Sequence, residues 1–177
     1  MIRTRYDTLT QSLHWLIALL VVTIYAIGYG REFLPKGDLK AGLLALHMSL
    51  GLAYLVLVGL RVFWRLTSDP VEPAKMSRTA HAAARVAHMG LYALMLLVPL
   101  IGLVAAWIKG RSVGFFGLPL PNLFVVDVPF GKFLEGIHGY AAHGMMALVG
   151  LHVAAALAHH YLLKDGVLLR MLPERAQ

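Results

Sequence analysis

Four long stretches of the chain contain no Asp, Glu, Lys or Arg: Thr8 to Gly30, Ala41 to Leu60, Val86 to Ile108 and Gly136 to Leu163. As a helix rising ~1.5 Å per residue, each can cross a hydrocarbon core of ~30 Å, the last with length to spare. Between them the pattern breaks. Leu66 to Ser77 holds Pro70, Pro73 and two acids and reads as an exposed loop. Ser112 to Val126 is apolar but interrupted by Gly114, Gly117, Pro119 and Pro121, so it is too short and too broken for a fifth span and is expected to lie at the interface. The pattern predicts one all-α membrane domain over residues 1–177: an integral four-helix bundle with helices near 8–30, 41–64, 80–108 and 134–163.

Composition agrees with this reading. Of 177 residues, 59% are hydrophobic and only 14% charged, too few charges to cover a soluble domain. Arg3 and Arg5 before the first apolar run imitate a secretory signal. The run exceeds the usual signal length, and no small-residue cleavage site stands out between Gly30 and Lys36, so it is read as the first span. With four spans both termini share a side. That side, with Arg61 to Arg85 and the tail from Lys164, carries ten of the sixteen Lys and Arg, against Arg31, Lys36, Lys40, Lys109, Arg111 and Lys132 opposite. The positive-inside rule then places both termini in the cytoplasm. A pI near 9.9 needs no nucleic-acid partner, because flanking loops of membrane helices account for it.

The chain has no cysteine, which excludes thiolate ligands, disulfides and cysteine nucleophiles, but it has nine histidines. An imidazole in hydrocarbon must find a partner, since an unsatisfied polar group there costs several kcal/mol. His14, early in the first helix, and His152, late in the fourth, belong to the cytoplasmic half. His47 and His138 belong to the periplasmic half. His138 and His152 are fourteen residues apart, which puts them within about 40° of one helix face and ~21 Å apart along the axis. Two level pairs on facing helices can supply both axial bonds of a haem at each level, leaving no open site for oxygen chemistry. Single buried histidines are more often core residues satisfied by hydroxyls or carbonyls; two matched levels sharing a face reverse that weighting. Which histidines pair stays open at this point, because His81 and His88 lie where either can replace His14. His143 points about 140° away from the His138 face. Arg61, fourteen residues beyond His47, lies at the cytoplasmic level, where a guanidinium suits haem propionates, although an ordinary positive-inside arginine explains it equally well. Gly51, Gly139 and Gly150 give a flat macrocycle room, a weak signal because small residues also pack membrane helices.

The strings QSLHWLIALL, LHMSLGLAYLVLVGLRVFWR, LYALMLLVPLIG and GLHVAAALAHHYLLKDGVLLRMLP resemble the bacterial cytochrome b561 family, which includes small stand-alone superoxide oxidases. The resemblance covers nearly the whole chain. It implies two haem b groups, one between His14 and His152 on the cytoplasmic side and one between His47 and His138 on the periplasmic side, in a bacterial inner-membrane protein. It associates His159 with quinone and makes the neighbouring Trp15 a contact; His143 has no counterpart in the pattern. It further implies an activity: superoxide at the periplasmic face gives up an electron, which passes by way of the haems to ubiquinone. No residue is then needed for covalent catalysis. The six outer basic residues fit an entrance for an anion, or serve simply as interfacial anchors. Quinone reduction needs protons, which an imidazole can relay.

The main alternative is a haem b anchor subunit that passes electrons from a redox partner protein into the quinone pool. A histidine-based proton channel predicts a colourless protein. A haem carrier predicts loose, exposed binding, at odds with two buried bis-histidine sites.

Overall fold

The computed structural model describes residues 4–73 and 76–173. Arg3, Lys75 and Arg175, three of the cations used to orient the chain, lie outside the described residues. Four helices dominate: α1 (Thr8–Gly30), α2 (Asp38–Thr67), α3 (Arg78–Ile108) and α4 (Val128–Ala158). All four are long and apolar enough to cross a membrane.

The helix starts are set by side chains that satisfy otherwise unpaired N–H groups. Asp7 caps α1, accepting from Thr10 N at 2.9 Å and Thr10 Oγ1 at 2.8 Å. Ser77 caps α3 and Asp127 caps α4 in the same way. The α4 start differs from the sequence reading by six residues, because Lys132 and Glu135 interrupt the apolar run. The structure carries the helix through them: Pro129 suits the first turn, and Glu135 is ion-paired with Lys109 and with Arg111.

α1 packs on α2 and α3 on α4, and the two hairpins meet through α2 and α3, while α1 and α4 stand apart at the backbone level. Buried Leu13, Ile17, Val21, Tyr54, Val58, Val98 and Met145 form the core where all four helices meet. Met145 lies seven residues from both His138 and His152, Leu13 adjoins His14, and Val98 O accepts from His138, so this apolar core spans the depth between the two histidine levels. Gly131 lets α4 approach the end of α3. A Cβ there would lie 2.9 Å from Lys109 N.

The segment after α3, expected only as a short outer stretch at the interface, contains a small β-hairpin. β1 (Gly114–Phe115) pairs antiparallel with β2 (Leu118–Pro119). Its turn places Phe116 at φ 47° and Gly117 at φ 92°, both in the left-handed region that suits a two-residue hairpin turn. Ser49 on α2 pins it, donating to Gly114 O and accepting from Phe116 N.

At the end carrying the termini, α4 leaves regular geometry in a π turn (His159–Leu163), and the chain folds back as a 3₁₀ turn (Leu168–Met171) against α1. Tyr6 N and Gln11 Nε2 donate to Arg170 O, and Trp15 Nε1 donates to Met171 O at 2.8 Å.

Candidate functional site

His47 projects from α2 toward α1, and His138 from α4 toward α3. Each is held through Nδ1, which donates to a carbonyl of the facing helix: His47 to Ile24 O at 3.0 Å, His138 to Val98 O at 2.9 Å. That bond fixes the tautomer and leaves Nε2 with the lone pair a metal would take. The two rings face each other with centroids 6.1 Å apart and planes nearly perpendicular at 89°. Two imidazoles bound to one metal from opposite sides, at ~2.0–2.1 Å per bond, place their centroids about 6.3 Å apart.

The two histidines share a local device. Gly28 follows Ile24 by four residues, and Gly102 follows Val98 by four, so each lies one turn beyond the accepting carbonyl. A Cβ at Gly28 would stand 2.6 Å from His47 Cε1; one at Gly102 would stand 2.7 Å from His138 Cε1. These are the glycines the rings require. The sequence reading named Gly51, Gly139 and Gly150 for a different role, room for a flat macrocycle, and did not single out these two. A Cβ at any of those three meets nothing within 4 Å. Gly51 and Gly139 nevertheless line the cavity and leave its walls flat.

The pair opens into a cavity of about 720 Å³ with mainly apolar walls from all four helices. Its rim is cationic: Arg31, Lys40, Arg111 and Lys132 line it, against the acids Glu32 and Glu135. Arg31 pairs with Glu32 and Arg111 with Glu135, whereas Lys132 has no carboxylate partner among the described residues. Two buried polar atoms on lining residues, Tyr54 Oη and Arg31 Nε, lack a hydrogen-bond partner among the described residues. Opposed imidazoles, flat apolar walls, cations at one edge and unsatisfied donors suit a haem with its two carboxylates. Of the six basic residues expected at this end, Lys36 is not part of the lining, and Lys109 stands behind it, paired with Glu135.

At the end carrying the termini, His14 on α1 faces His152 on α4 across the gap between those helices. Their centroids are 6.3 Å apart, the same metal-bridging separation. His88 also approaches His152, at 5.4 Å. That is nearly 1 Å too short for opposite axial positions, so the distance favours His14 as the partner. His81 has no ring contact among the described residues. Among the described residues no three His, Cys, Asp or Glu side chains gather, so the imidazoles meet as pairs and not as a closed metal cage.

Arg61 donates through Nη1 to Thr10 O at 3.0 Å, and its charge acts on His14, His88 and His152. It stands at the expected level, with one of its donors already used. Trp15 lies against His14 at 5.2 Å; its indole N–H is taken by Met171 O, and 45% of the residue is exposed. His159 Nδ1 donates to Asp165 Oδ2 at 2.5 Å. His143, assigned no role from sequence, shares a 2.7 Å hydrogen bond with the Tyr25 hydroxyl, and both line the cavity.

A helical membrane bundle with facing imidazoles at two levels and no cysteine has the architecture of a membrane b-type cytochrome. The comparison with known proteins agrees. The family model described as prokaryotic cytochrome b561 matches residues 5–174, and the chain belongs to that family of membrane electron-transfer haem proteins. The chain is similar to a probable superoxide oxidase, CybB, of Yersinia pestis, at 34% identity over 173 residues and 97% of both chains. It is 32% identical over 173 residues to cytochrome b561 homolog 1 of Escherichia coli K12, covering 97% of this chain and 98% of the other. It is 33% identical over 175 residues to cytochrome b562 of Cereibacter sphaeroides, covering 96% of each.

Proposed function

We propose that the protein is a superoxide:quinone oxidoreductase of the bacterial inner membrane, with both termini cytoplasmic and two b haems held by His47 with His138 and by His14 with His152. The observation that carries the reading is the cationic rim over the His47 and His138 pair, which places an anion-attracting mouth directly on a candidate electron-accepting site. Similarity to a protein named as a probable superoxide oxidase supports the same substrate.

Haem, when bound at each pair, would supply a one-electron couple. His47 and His138 would hold it through Nε2, their Nδ1–H bonds to Ile24 O and Val98 O locking ring orientation and raising ligand basicity. Arg111 and Lys132 raise the local concentration of superoxide by attraction alone. Superoxide loses one electron and leaves as oxygen, so this mouth needs no proton donor. Two such electrons and two protons convert one ubiquinone to quinol at the opposite end, where Trp15 and His159 lie.

The test is anaerobic purification in detergent, haem quantification, and mixing of the oxidised protein with a superoxide source while haem and quinone reduction are followed. Two b haems per chain that reduce with superoxide and reoxidise with quinone are expected. Haems that respond to quinol but ignore superoxide would instead make the chain an anchor subunit for a redox partner. Reporter fusions at the C-terminus test the orientation.

A further inference from the structure

The π turn at the end of α4 builds a pair that regular helix geometry would keep apart. His159 and Asp165 are six residues apart, a spacing that puts side chains on different faces of a continuous helix. Here the helix widens at His159–Leu163, Lys164 turns into the left-handed region at φ 52°, and Gly166 follows at φ 74°. The chain reverses, and Asp165 comes back under His159. Asp165 Oδ2 accepts from His159 Nδ1 at 2.5 Å while its Oδ1 accepts from Val167 N at 3.2 Å, so both carboxylate oxygens are fixed. Single π turns inside α-helices recur at functional sites.

We infer that His159 and Asp165 form a proton-delivering dyad for the quinone, with His159 the catalytic residue and Asp165 a positioning residue acting through it. The inference rests on the quinone-reducing function proposed above. With Nδ1–H committed to Asp165, His159 presents Nε2 as its proton-carrying atom. The doubly protonated ring, its Nδ1–H held by the carboxylate, gives the Nε2 proton to a quinone carbonyl oxygen. The neutral ring is then reprotonated from the aqueous side. Two electrons, one from each of two superoxide ions, and two passages of the dyad balance the conversion of quinone to quinol. Asp165 remains charged in this position. Burial alone would raise its carboxyl, but the bonds from His159 and from Val167 N–H hold it below the ordinary carboxylate value of 3.8.

The charged and titratable groups around the dyad are few. On its own segment are His160 and Lys164. The 3₁₀ turn packed against it brings Arg170, whose Nη1 is turned away to Glu72 O. Among the described residues, the ion-pair contact of Asp165 is with His159. His81, Arg85 and His88 start α3 at the same end of the bundle.

The experiment uses whole protein with its haems chemically reduced, so that it does not depend on the donor, and follows reoxidation by a short-chain ubiquinone analogue from pH 5 to 9. Asp165→Asn keeps the shape and the Val167 bond but removes the charge. It should slow reoxidation at pH 8 on the order of 10- to 100-fold, with less than a twofold change in KM. Its pH–rate profile should differ from that of the wild type, because Nδ1 no longer faces a carboxylate. Asp165→Glu should restore part of the rate, and His159→Gln should be slow with no pH dependence in this range. Haem content and the rate of haem reduction by superoxide should stay at wild-type values in every variant. An Asp165→Asn protein with the wild-type rate and pH profile overturns the dyad. If that variant fails to fold, His159→Gln decides: a retained pH dependence overturns the dyad as well. Wild-type protein that quinone does not reoxidise overturns the quinone-reductase function and the dyad with it.

Discussion

The imidazole of His47 lies so close to Gly28 that one added methyl group would stand 2.6 Å from its Cε1, and His138 bears the same relation to Gly102 at 2.7 Å. Both rings are therefore seated against bare backbone and tied to the carbonyl one turn earlier. Gly28→Ala should push His47 off its carbonyl and out of line with His138; Gly102→Ala should do the same to His138. Either variant should retain about one haem of two, read as the haem-to-protein ratio. Gly30→Ala, where a Cβ meets nothing within 4 Å, should keep both and gain ~0.5–1 kcal/mol of helix stability.

The two levels should also empty independently. His47→Ala should remove one haem and leave the other; His152→Ala should remove the opposite one. His88→Ala should keep both, because its 5.4 Å approach to His152 is too short for a shared metal. Absorbance spectra of the purified variants check this, and loss of a haem in the His88 variant would reassign the ligand.

Charge at the cavity rim sets encounter rate more than chemistry. Lys132→Glu and Arg111→Glu should lower the rate of haem reduction by superoxide by ~10-fold at low salt, with the gap narrowing as ionic strength rises. Lys36→Glu, outside the lining, should have a smaller effect. Reoxidation by quinone should be unchanged in all three.

Asp7 ties the start of α1 to the end of α2. Its carboxylate accepts from Thr10 N, Thr10 Oγ1 and Trp64 Nε1. Burial would raise its pKa, yet these bonds together hold it below the ordinary 3.8. A depressed folded value means the contribution is fully present above the unfolded value and fades as pH falls through the folded one. Asp7→Ala should cost ~1 kcal/mol at pH 7. The difference in thermal midpoint in detergent should close only below about pH 4.

The spans were legible because membrane helices announce themselves as long runs without charge, and the histidine levels because fourteen residues nearly close four helical turns. Glu135 hid the true start of α4, since its neutralisation depends on Lys109 and Arg111 more than twenty residues away. Gly28 and Gly102 were invisible for the same reason: only the approach of a neighbouring helix distinguishes them from Gly51 or Gly150. The hairpin escaped because Phe116 occupies a left-handed position where Asn or Gly gives the usual turn signal. The link between His159 and Asp165 depends on a π turn that no helical periodicity anticipates.

The apolar layer of Leu13, Ile17, Val21, Tyr54, Val58, Val98 and Met145 has an electrical consequence. It fills the depth between the two histidine levels with apolar side chains, a low-dielectric span across which much of any membrane voltage would drop. Those levels are ~21 Å apart in a hydrocarbon thickness of ~30 Å. Moving one electron between them therefore exchanges ~1.6 kcal/mol with a potential of 100 mV. In the proposed orientation, with both termini on the negative side, electrons travelling toward that side climb the field. The proposed superoxide oxidation would thus slow as the membrane becomes more strongly energised and quicken when the voltage collapses.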